Sequence, residues 1–397
     1  MTALVLPRAH RRVPAALAVC LLSFVSFWIA QRAAHVSMID LMVYRAEGAT
    51  ARAGGDLYAL RATHARLPTT YPPFAALLFI PLTFLDVVTL RATATVANLA
   101  LLVAFVQLSL RLVGRHARVE HALWVAAGAV WCEPVWTTLR YGQVNLLLAV
   151  LVLWDLTRRP GHRWAGAGIG VAAAVKLTPA LFAVFLVCTG ITLAVTRRGA
   201  WWPWLRAACV AVCAFLGATA LAAVVLPYDS RRFWTRMVFE ASRVGHAEET
   251  ANQSLRGALA RLLHTGDPSP WWALAAAVTG ALGLAVAVAA ALRGRRAQAV
   301  VACATTALLV SPVSWSHHWV WCVPLVLLVW ESGRRRTAAV MAALFCSYAV
   351  WWVPHGSGRP ELHQNMEQSA LSALYVGAAY AFLVYSGVRL WRTSRTA

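Results

Sequence analysis

Long apolar stretches recur from residue 14 to residue 389, and short polar or arginine-rich segments separate them. Several stretches approach the roughly 20 residues that an α-helix needs to cross about 30 Å of hydrocarbon. Hydrophobic residues make up 60% of the 397 residues and charged residues only 13%, against about a quarter in soluble domains. The pattern predicts an all-α polytopic membrane protein.

Arginine supplies nearly all of the positive charge, which reaches a net +21. A soluble chain of this charge would suggest a nucleic-acid partner, but no basic groove interleaved with aromatic residues is visible. The arginines instead form short blocks between apolar stretches, as in cytoplasmic loops that contact lipid headgroups. We therefore expect membrane lipids rather than nucleic acid as partners. The cytoplasmic blocks are residues 8–12, 158–163, 197–198, 293–296 and 334–336.

These blocks predict about twelve crossings of the plasma membrane in one domain, residues 1–397, with both ends in the cytoplasm. Residues 1–34 resemble a secretory signal, but many apolar stretches follow, so residues 14–34 are interpreted as an uncleaved first helix. Two long loops, residues 38–72 and 228–268, are expected on the extracytoplasmic side. One long crossing is expected before residue 111. The proline-flanked segment at 72–85 is expected to be re-entrant or to lie at the membrane interface. The other crossings are expected near 119–139, 144–157, 164–178, 179–196, 204–226, 271–292, 298–313, 318–331, 337–353 and 369–389.

Five unusual polar clusters fall on the extracytoplasmic side of this topology, which suggests one site there. The first contains Asp40, an isolated acid between Ile39 and Leu41 at the edge of the first apolar stretch. A charged group at membrane depth is costly and is a functional candidate by default. We therefore predict a catalytic role for Asp40. The other clusters are Glu133–Asn145, Lys176–Pro179, Asn252–Arg256 and Ser311–Trp321.

Lys176 is the only lysine in a chain with 36 lysine and arginine residues. It lies between two apolar runs, where an ammonium costs roughly 3 kcal/mol on insertion scales. A compact point charge suits a phosphate oxygen, so Lys176 is predicted to bind the phosphate of a donor. The alternative is a lysine that extends to the membrane interface from a helix end.

His317 and His318 are adjacent, so on a helix their side chains point about 100° apart and do not easily share one metal. No nearby carboxylate or HxxxH pattern completes a metal site, and we predict no metal and no cofactor. We expect one of the two to donate to an anionic leaving group. The alternative is that both pack in an aromatic belt with Trp315 and its neighbours.

Several polar side chains are candidates for binding a sugar. Glu133, Gln143 and Asn145 offer a carboxylate and two amides of the kind that bind sugar hydroxyls, although Asn145 alone could cap its helix. Asn252 and Gln253 belong to a further polar cluster, which also matches the glycosylation sequon, itself a weak pattern. Arg256 follows them and is an alternative phosphate clamp or an ordinary interfacial arginine.

The eight cysteines all lie in apolar runs, without the spacing of a disulfide framework or a zinc site. We interpret them as small core residues.

The polar clusters occur in the order seen in one known family. They are Asp40-x-x-Val43-Tyr44, Gly55-x-Leu57-Tyr58, Tyr71-Pro72-Pro73, Glu133-Pro134, Gly142-Gln143-x-Asn145, Lys176-Leu177-Thr178-Pro179, Asn252-Gln253-Ser254 and Ser311-Pro312-x-Ser314-Trp315-x-His317-His318. Over residues 38 to 325 the chain resembles the polyprenol-phosphate-mannose-dependent alpha-1,2-mannosyltransferases of glycosyltransferase family 87, in the GT-C class. The combination is specific, although each short motif alone is not.

The resemblance implies a GT-C helical bundle with an outward-facing cavity roofed by the first long loop. It implies a polyprenyl-phosphate mannose donor, a mannose of a lipid-anchored glycan as acceptor, Asp40 as the base and an important role for His317 and His318. Tyr44 and Tyr71, with Trp315, are expected to line the substrate cavity. Glu47, two helical turns from Asp40, is a substrate-binding candidate whose position is left open.

The implied reaction inverts the anomeric centre, so one displacement with one general base is sufficient. Two alternatives remain. One is a GT-C enzyme that uses polyprenyl-phosphate arabinose. The other is a transporter or flippase of lipid-linked sugars, against which the sequence shows no internal repeat. The acceptor is not specified by any pattern in the loops.

Overall fold

A computed structural model of the chain describes residues 12–115, 118–159 and 161–394. Most of the predicted basic block at 8–12, and residue 160 of the block at 158–163, lie outside the described residues. The described residues form eighteen α-helices, and the only paired strands among them are two short ones, so the all-α prediction is confirmed.

The helices are α1 Arg12–Ala33, α2 Ile39–Arg52, α3 Pro73–Phe79, α4 Val87–Leu112, α5 Val119–Ala129, α6 Glu133–Tyr141, α7 Asn145–Thr157, α8 Ala167–Val175, α9 Ala180–Thr196, α10 Trp202–Val225, α11 Pro227–Thr235, α12 Leu255–Leu262, α13 Ser269–Leu292, α14 Arg296–Val310, α15 Cys322–Glu331, α16 Arg335–Cys346, α17 Met366–Ser372 and α18 Leu374–Ser394. Strands β1 Arg61–Ala62 and β2 Leu67–Pro68 form an antiparallel hairpin in the first loop. Short 3₁₀ segments include Ser316–Trp321 and Ala349–Trp351.

Four helices of the described chain, α1, α4, α10 and α13, have the length and composition to cross a membrane. The number becomes six if each of two sharply bent pairs, α6 with α7 and α17 with α18, counts as one span. Large apolar side chains on these helices face outward, for example Leu22, Val88 and Val224, as expected of surfaces in contact with lipid. The chain therefore has the features of a multi-pass membrane protein, and the expected twelve crossings are not confirmed.

The predicted crossing at 119–139 does not form as one helix. Helix α5 ends at Ala129, and α6 begins at Glu133 with Pro134 in its first turn. Proline lacks the N–H that a continuing helix would use, but it fits the first turn of a new one. Helices α6 and α7 are in turn bent by 118° from each other, so they do not form one straight helix.

Helix α8 packs closely between α7 and α10 because its glycines lack side chains. A Cβ on Gly168 would lie 2.7 Å from the Leu151 carbonyl oxygen of α7, and one on Gly170 would lie 2.2 Å from the Ala211 carbonyl oxygen of α10. Small residues permit this approach of helix backbones in membrane proteins. Helix α8 ends where Lys176 adopts an extended conformation before Pro179, and this turn is where the sequence predicted it.

The two long loops pack against each other. Asp56 caps a 3₁₀ turn in the first loop and pairs with Arg232 of α11, Oδ2 to Nη1, at 2.6 Å. Arg243 of the second loop donates to the carbonyl oxygens of Thr69 and Thr70, at 2.6 and 3.1 Å from Nη1 and Nη2 respectively. The loops thus form one layer at the end of the helices opposite most of the arginine blocks.

Candidate active site

A cavity of about 620 Å³ lies beneath this loop layer. Helix α2, the α6–α7 turn, the α8–α9 turn, the second loop and the segment from Ser311 to His318 form its walls. Eight of the predicted site residues line it: Asp40, Tyr44, Tyr71, Gln143, Lys176, Trp315, His317 and His318. Four of the five polar clusters therefore contribute side chains to one cavity, and the fourth in chain order, Asn252–Arg256, does not.

Asp40 belongs to a hydrogen-bonded chain of four side chains. The Gln143 amide donates from Nε2 to Asp40 Oδ2 at 2.7 Å. The other end of that amide, Oε1, accepts from the hydroxyls of Tyr44 at 2.7 Å and Tyr71 at 3.1 Å. Because two hydroxyls occupy Oε1, the amide must present its N–H group to the carboxylate. Gln143 therefore orients the Asp40 carboxylate, and because it also lines the cavity, the sugar contact predicted for it stays a prediction.

Gly142 places Gln143 opposite Asp40. Its φ of 68° is in the left-handed region, and the Gln143 N–H bonds to the Thr138 carbonyl in the manner of a glycine-terminated helix. A Cβ on Gly142 would lie 2.7 Å from Leu41 Cβ, so only glycine lets the α6–α7 turn approach α2 this closely. The close approach of this turn to α2 therefore explains why glycine precedes Gln143 in the sequence motif.

Burial raises the pKa of the Asp40 carboxyl above its usual value, because the surrounding protein solvates the anion less well than water. The Gln143 hydrogen bond and the positive charge of Lys176 act in the opposite direction and favour the carboxylate. A carboxylate with a raised pKa is a stronger base than a surface aspartate.

Lys176 extends from the α8–α9 turn into the cavity. Its Nζ donates to Asn145 Oδ1 at 3.2 Å, contacts His318 Nε2 at 2.8 Å and lies 5.4 Å from the centre of the Tyr71 ring. Within the described part of the chain no carboxylate lies within 4 Å of it. Burial lowers the pKa of the Lys176 ammonium to about 7, while the negative charge of Asp40 acts in the opposite direction. An anionic ligand beside the amine favours its charged form.

The two histidines have different surroundings. A lysine ammonium can only donate, so the contact with Lys176 requires His318 Nε2 to be unprotonated. His317 is buried, its ring meets the edge of Tyr141, and its Nε2 has no hydrogen-bond partner among the described residues. His318 therefore orients the lysine, and His317 is the better placed to donate to a ligand.

Asn145 is buried and lines a small neighbouring slot rather than the main cavity. Its Nδ2 donates to the His317 carbonyl oxygen at 3.0 Å while its Oδ1 accepts from Lys176. Thr138, which sequence reasoning missed, bonds to the same carbonyl oxygen at 2.8 Å. The predicted sugar contact by Asn145 is replaced by a role in positioning the lysine and the histidine backbone.

Glu133 is completely buried and does not line the cavity. Its Oε1 accepts from Thr137 at 2.9 Å, Ser316 at 2.7 Å and the Trp351 indole at 3.1 Å, and its Oε2 accepts from Tyr375 at 2.9 Å. With four donors around it, the carboxylate has no free direction for a sugar. Glu133 instead joins the segment before His317 to the C-terminal part of the bundle.

Asn252 and Gln253 are also fully buried outside the cavity. Asn252 Oδ1 accepts the N–H of Ser314 at 3.0 Å, and the Gln253 N–H donates to the Ser314 carbonyl at 2.7 Å. Gln253 Nε2 also donates to the Ser372 carbonyl at 2.6 Å. These amides hold the backbone of the segment that carries Trp315 and the histidines, so their predicted sugar contacts are wrong.

Arg256 does not reach the cavity either. Its Nη2 lies 3.9 Å from Asp267 Oδ1, and its guanidinium lies 5.7 Å from the centre of the Trp272 ring. The phosphate clamp predicted at this position is therefore wrong, and the interfacial alternative agrees with the contacts.

Glu47 lies inside the loop layer, behind the cavity wall and fully buried. Burial raises its pKa to about 8, while Thr69 and the charge of Arg243 partly oppose this and nearby Asp40 adds to it. At neutral pH the side chain is thus largely protonated. The substrate-binding role predicted for Glu47 is not supported by its position.

Five polar residues of the second loop line the cavity and were missed from the sequence: Glu240, Ser242, Arg243, His246 and Glu249. The main-chain N–H of His246 donates to Glu249 Oε1 at 2.8 Å, and Gly245 packs against the Trp315 ring. No short motif marks them, because they lie in an irregular loop without periodicity. Among the described residues, no group of three or more His, Cys, Asp or Glu side chains forms a metal site.

Comparison with known proteins identifies the family of this chain. The model of glycosyltransferase family 87 matches residues 70–312, which contain Tyr71, Gln143 and Lys176.

The chain belongs to glycosyltransferase family 87.

Curated relatives of this family 87 member cover most of its length. A polyprenol-phosphate-mannose-dependent alpha-(1-2)-phosphatidylinositol pentamannoside mannosyltransferase of Mycobacterium tuberculosis is 37% identical over 76% of this chain and 69% of its own. A polyprenol-phosphate-mannose-dependent alpha-(1-2)-phosphatidylinositol mannoside mannosyltransferase of Mycolicibacterium smegmatis is 35% identical over 90% of this chain and 85% of its own. The solved structure of ArnT from Cupriavidus metallidurans bound to undecaprenyl phosphate aligns with 96% of this chain and 77% of that one, at 14% identity and a TM-score of 0.42. The predicted family and the glycosyltransferase activity are confirmed by the sequence relatives.

Proposed function

We propose that this protein transfers mannose from a polyprenyl-phosphate donor to a mannose hydroxyl of a phosphatidylinositol mannoside, forming an alpha-1,2 linkage. The relatives that carry this activity in their names are 37% and 35% identical and span most of the chain. The observation that carries the proposal is the cavity, in which an acid, Asp40, and a lysine, Lys176, face the same space.

Asp40 acts as the general base. As the acceptor oxygen attacks the anomeric carbon, its proton passes to the Asp40 carboxylate, and the bond from that carbon to the phosphate oxygen breaks. One displacement inverts the anomeric centre, so no second carboxylate nucleophile is needed. Gln143 leaves one face of Asp40 for the acceptor, because its own hydrogen bond is made to Oδ2.

Lys176 and His317 stabilise the departing lipid phosphate. Negative charge accumulates on that phosphate in the transition state, so a fixed ammonium nearby lowers the barrier. Asn145 and His318 hold the ammonium in place from two sides. The Nε2 of His317 offers one further donor for a phosphate oxygen.

The reaction takes place on the extracytoplasmic side of the plasma membrane. Helix α7 begins beside Gln143 and ends at Arg158, α9 begins after Lys176 and ends at Arg197, and α14 begins at Arg296 and ends beside Ser311. The cavity and the arginine blocks are thus at opposite helix ends. Basic loops favour the cytoplasm, which supports the outer face for the cavity.

A reconstituted transfer assay tests the proposal. Purified protein in proteoliposomes is supplied with labelled polyprenyl-phosphate mannose and a phosphatidylinositol mannoside acceptor, and the linkage of the product is determined by mass spectrometry and alpha-1,2-mannosidase digestion. We expect a product one mannose longer that the mannosidase cleaves. Consumption of polyprenyl-phosphate arabinose in its place, or movement of donor across the bilayer without a glycosidic product, would contradict it.

A further inference from the structure

Two cysteines that are distant in sequence meet at the cavity end of the bundle. Cys132 immediately precedes α6, and Cys346 is the last residue of α16. They are 214 positions apart, yet their Sγ atoms lie 3.3 Å from each other. The sequence predicted isolated core cysteines, because no spacing pattern indicates a pair formed by such distant segments.

The pair lies beside the Glu133 cluster. Cys132 is the neighbour of Glu133, and the chain that leaves Cys346 reaches Trp351, whose indole donates to Glu133 Oε1 and whose side chain also lines the cavity. The turn between Cys346 and Trp351 contains Tyr348, whose φ of 57° is unfavourable for a bulky residue. A covalent link here would join the two segments that Glu133 already connects by hydrogen bonds.

The level of the pair in the membrane favours access from water. Trp131 precedes Cys132 and is 37% exposed, and Trp352 follows Cys346 by six positions and is 68% exposed. Tryptophans are enriched where a membrane meets water. Cys346 is exposed on the protein surface and Cys132 is partly exposed.

The other cysteines do not share these properties. Cys20 and Cys303 are buried. Cys209 and Cys213 are exposed on the same helix, α10, and no contact between their sulfur atoms is seen. Only Cys322, which is buried at the start of α15, competes for Cys132, since it contributes to the surroundings of that thiol.

We propose that Cys132 and Cys346 form a disulfide that fixes the Glu133 cluster behind the cavity. The two thiols lose two protons and two electrons, and an oxidised thiol–disulfide oxidoreductase accepts the electrons through a mixed disulfide. Such oxidation persists outside the cytoplasm and not within it. The inference rests on the extracytoplasmic orientation given in the proposed function.

Differential alkylation of the full-length protein in native membranes tests the pairing. Free thiols are blocked with N-ethylmaleimide under denaturing conditions without reductant, and the chain is then digested and analysed by mass spectrometry. The expected result is a peptide pair joined through Cys132 and Cys346, with Cys209 and Cys213 fully alkylated as internal controls. Complete alkylation of Cys132 and Cys346, or a link from Cys132 to Cys322, would overturn the proposal.

A second variant distinguishes pairing from low reactivity. In Cys346→Ser, Cys132 is expected to become fully alkylated, and if it remained unmodified the wild-type result would not report a disulfide with Cys346. The mapping needs no substrate, so its outcome is independent of the transfer assay. Alkylation of both cysteines in a protein that transfers mannose at a normal rate would refute the disulfide and leave the proposed function intact.

Discussion

The hydrogen bond from Gln143 to Asp40 gives the sharpest prediction of the account. In Gln143→Leu the carboxylate loses a donor at 2.7 Å, and the Tyr44 and Tyr71 hydroxyls lose their acceptor. A hydrogen bond to a charged group is worth about 1.5–3 kcal/mol, and about 1.4 kcal/mol corresponds to one pH unit. Because the bond favours the ionised form, its loss raises the pKa of Asp40. The acid limb of the pH–rate profile is then expected to move upward by about one to two pH units.

Gln143→Glu extends the test with almost no change in shape. The new side chain still accepts from both tyrosines, but it places a second carboxylate beside Asp40, and like charges disfavour ionisation. The acid limb should therefore rise in the order wild type, Gln143→Leu, Gln143→Glu. The assay is the initial rate of mannose transfer in proteoliposomes between pH 5 and 9 at saturating donor. Identical acid limbs in all three proteins would refute the assignment of Asp40 as the titrating base held by Gln143.

Three further outcomes follow from the geometry. Lys176→Met should raise the KM for the donor and lower kcat by about 100-fold or more, since the main cation facing the phosphate is lost, and a retained donor dependence would contradict this. Arg256→Gln is the matched control, because this arginine does not line the cavity, and its kinetics should equal wild type. Glu47→Gln should stabilise the protein at neutral pH by about 3 kcal/mol, measured by thermal unfolding against pH. The pKa of Glu47 is about 8 in the folded protein and about 4.5 in the unfolded chain. The free energy of unfolding of the wild type should therefore fall as the pH rises from about 4.5 to 8, and its difference from that of the variant should widen over the same range.

The sequence was sufficient to predict the ionisable side chains of the site, but not the residues that hold them in place. Asp40 and Lys176 can be recognised from the sequence alone, because an ionisable group among apolar residues costs free energy in a membrane protein. Glu133 carries the same signal, yet the structure surrounds it with four donors, one from its own helix and three from other segments. A costly buried acid therefore indicates either a reactant or a structural centre. Only the positions of its partners distinguish the two.

The side-chain amides of the site also differ between what their residue type indicates and what their contacts show. Gln143 and Asn145 were predicted to bind sugar because amides suit hydroxyls, but each has both ends occupied by protein groups. Arg243 was missed because it lies in an irregular loop, where no period predicts which side chains face inward. The number of crossings stays a prediction for a related reason. Segments such as α8 and α15, of 9 and 10 residues, are apolar because they are packed inside the bundle, and their length alone does not allow them to span it.

Asp40→Asn tests the central claim most directly. Asparagine keeps the shape of the side chain and an acceptor for Gln143 but cannot take up the proton of the acceptor hydroxyl. The measurement is a single turnover of prebound labelled polyprenyl-phosphate mannose, with donor binding determined on the same sample. We expect donor binding close to wild type and a transfer rate lower by about 10²–10⁴, the usual contribution of a general base. Transfer by the donor-loaded variant at the wild-type rate would show that Asp40 is not the base.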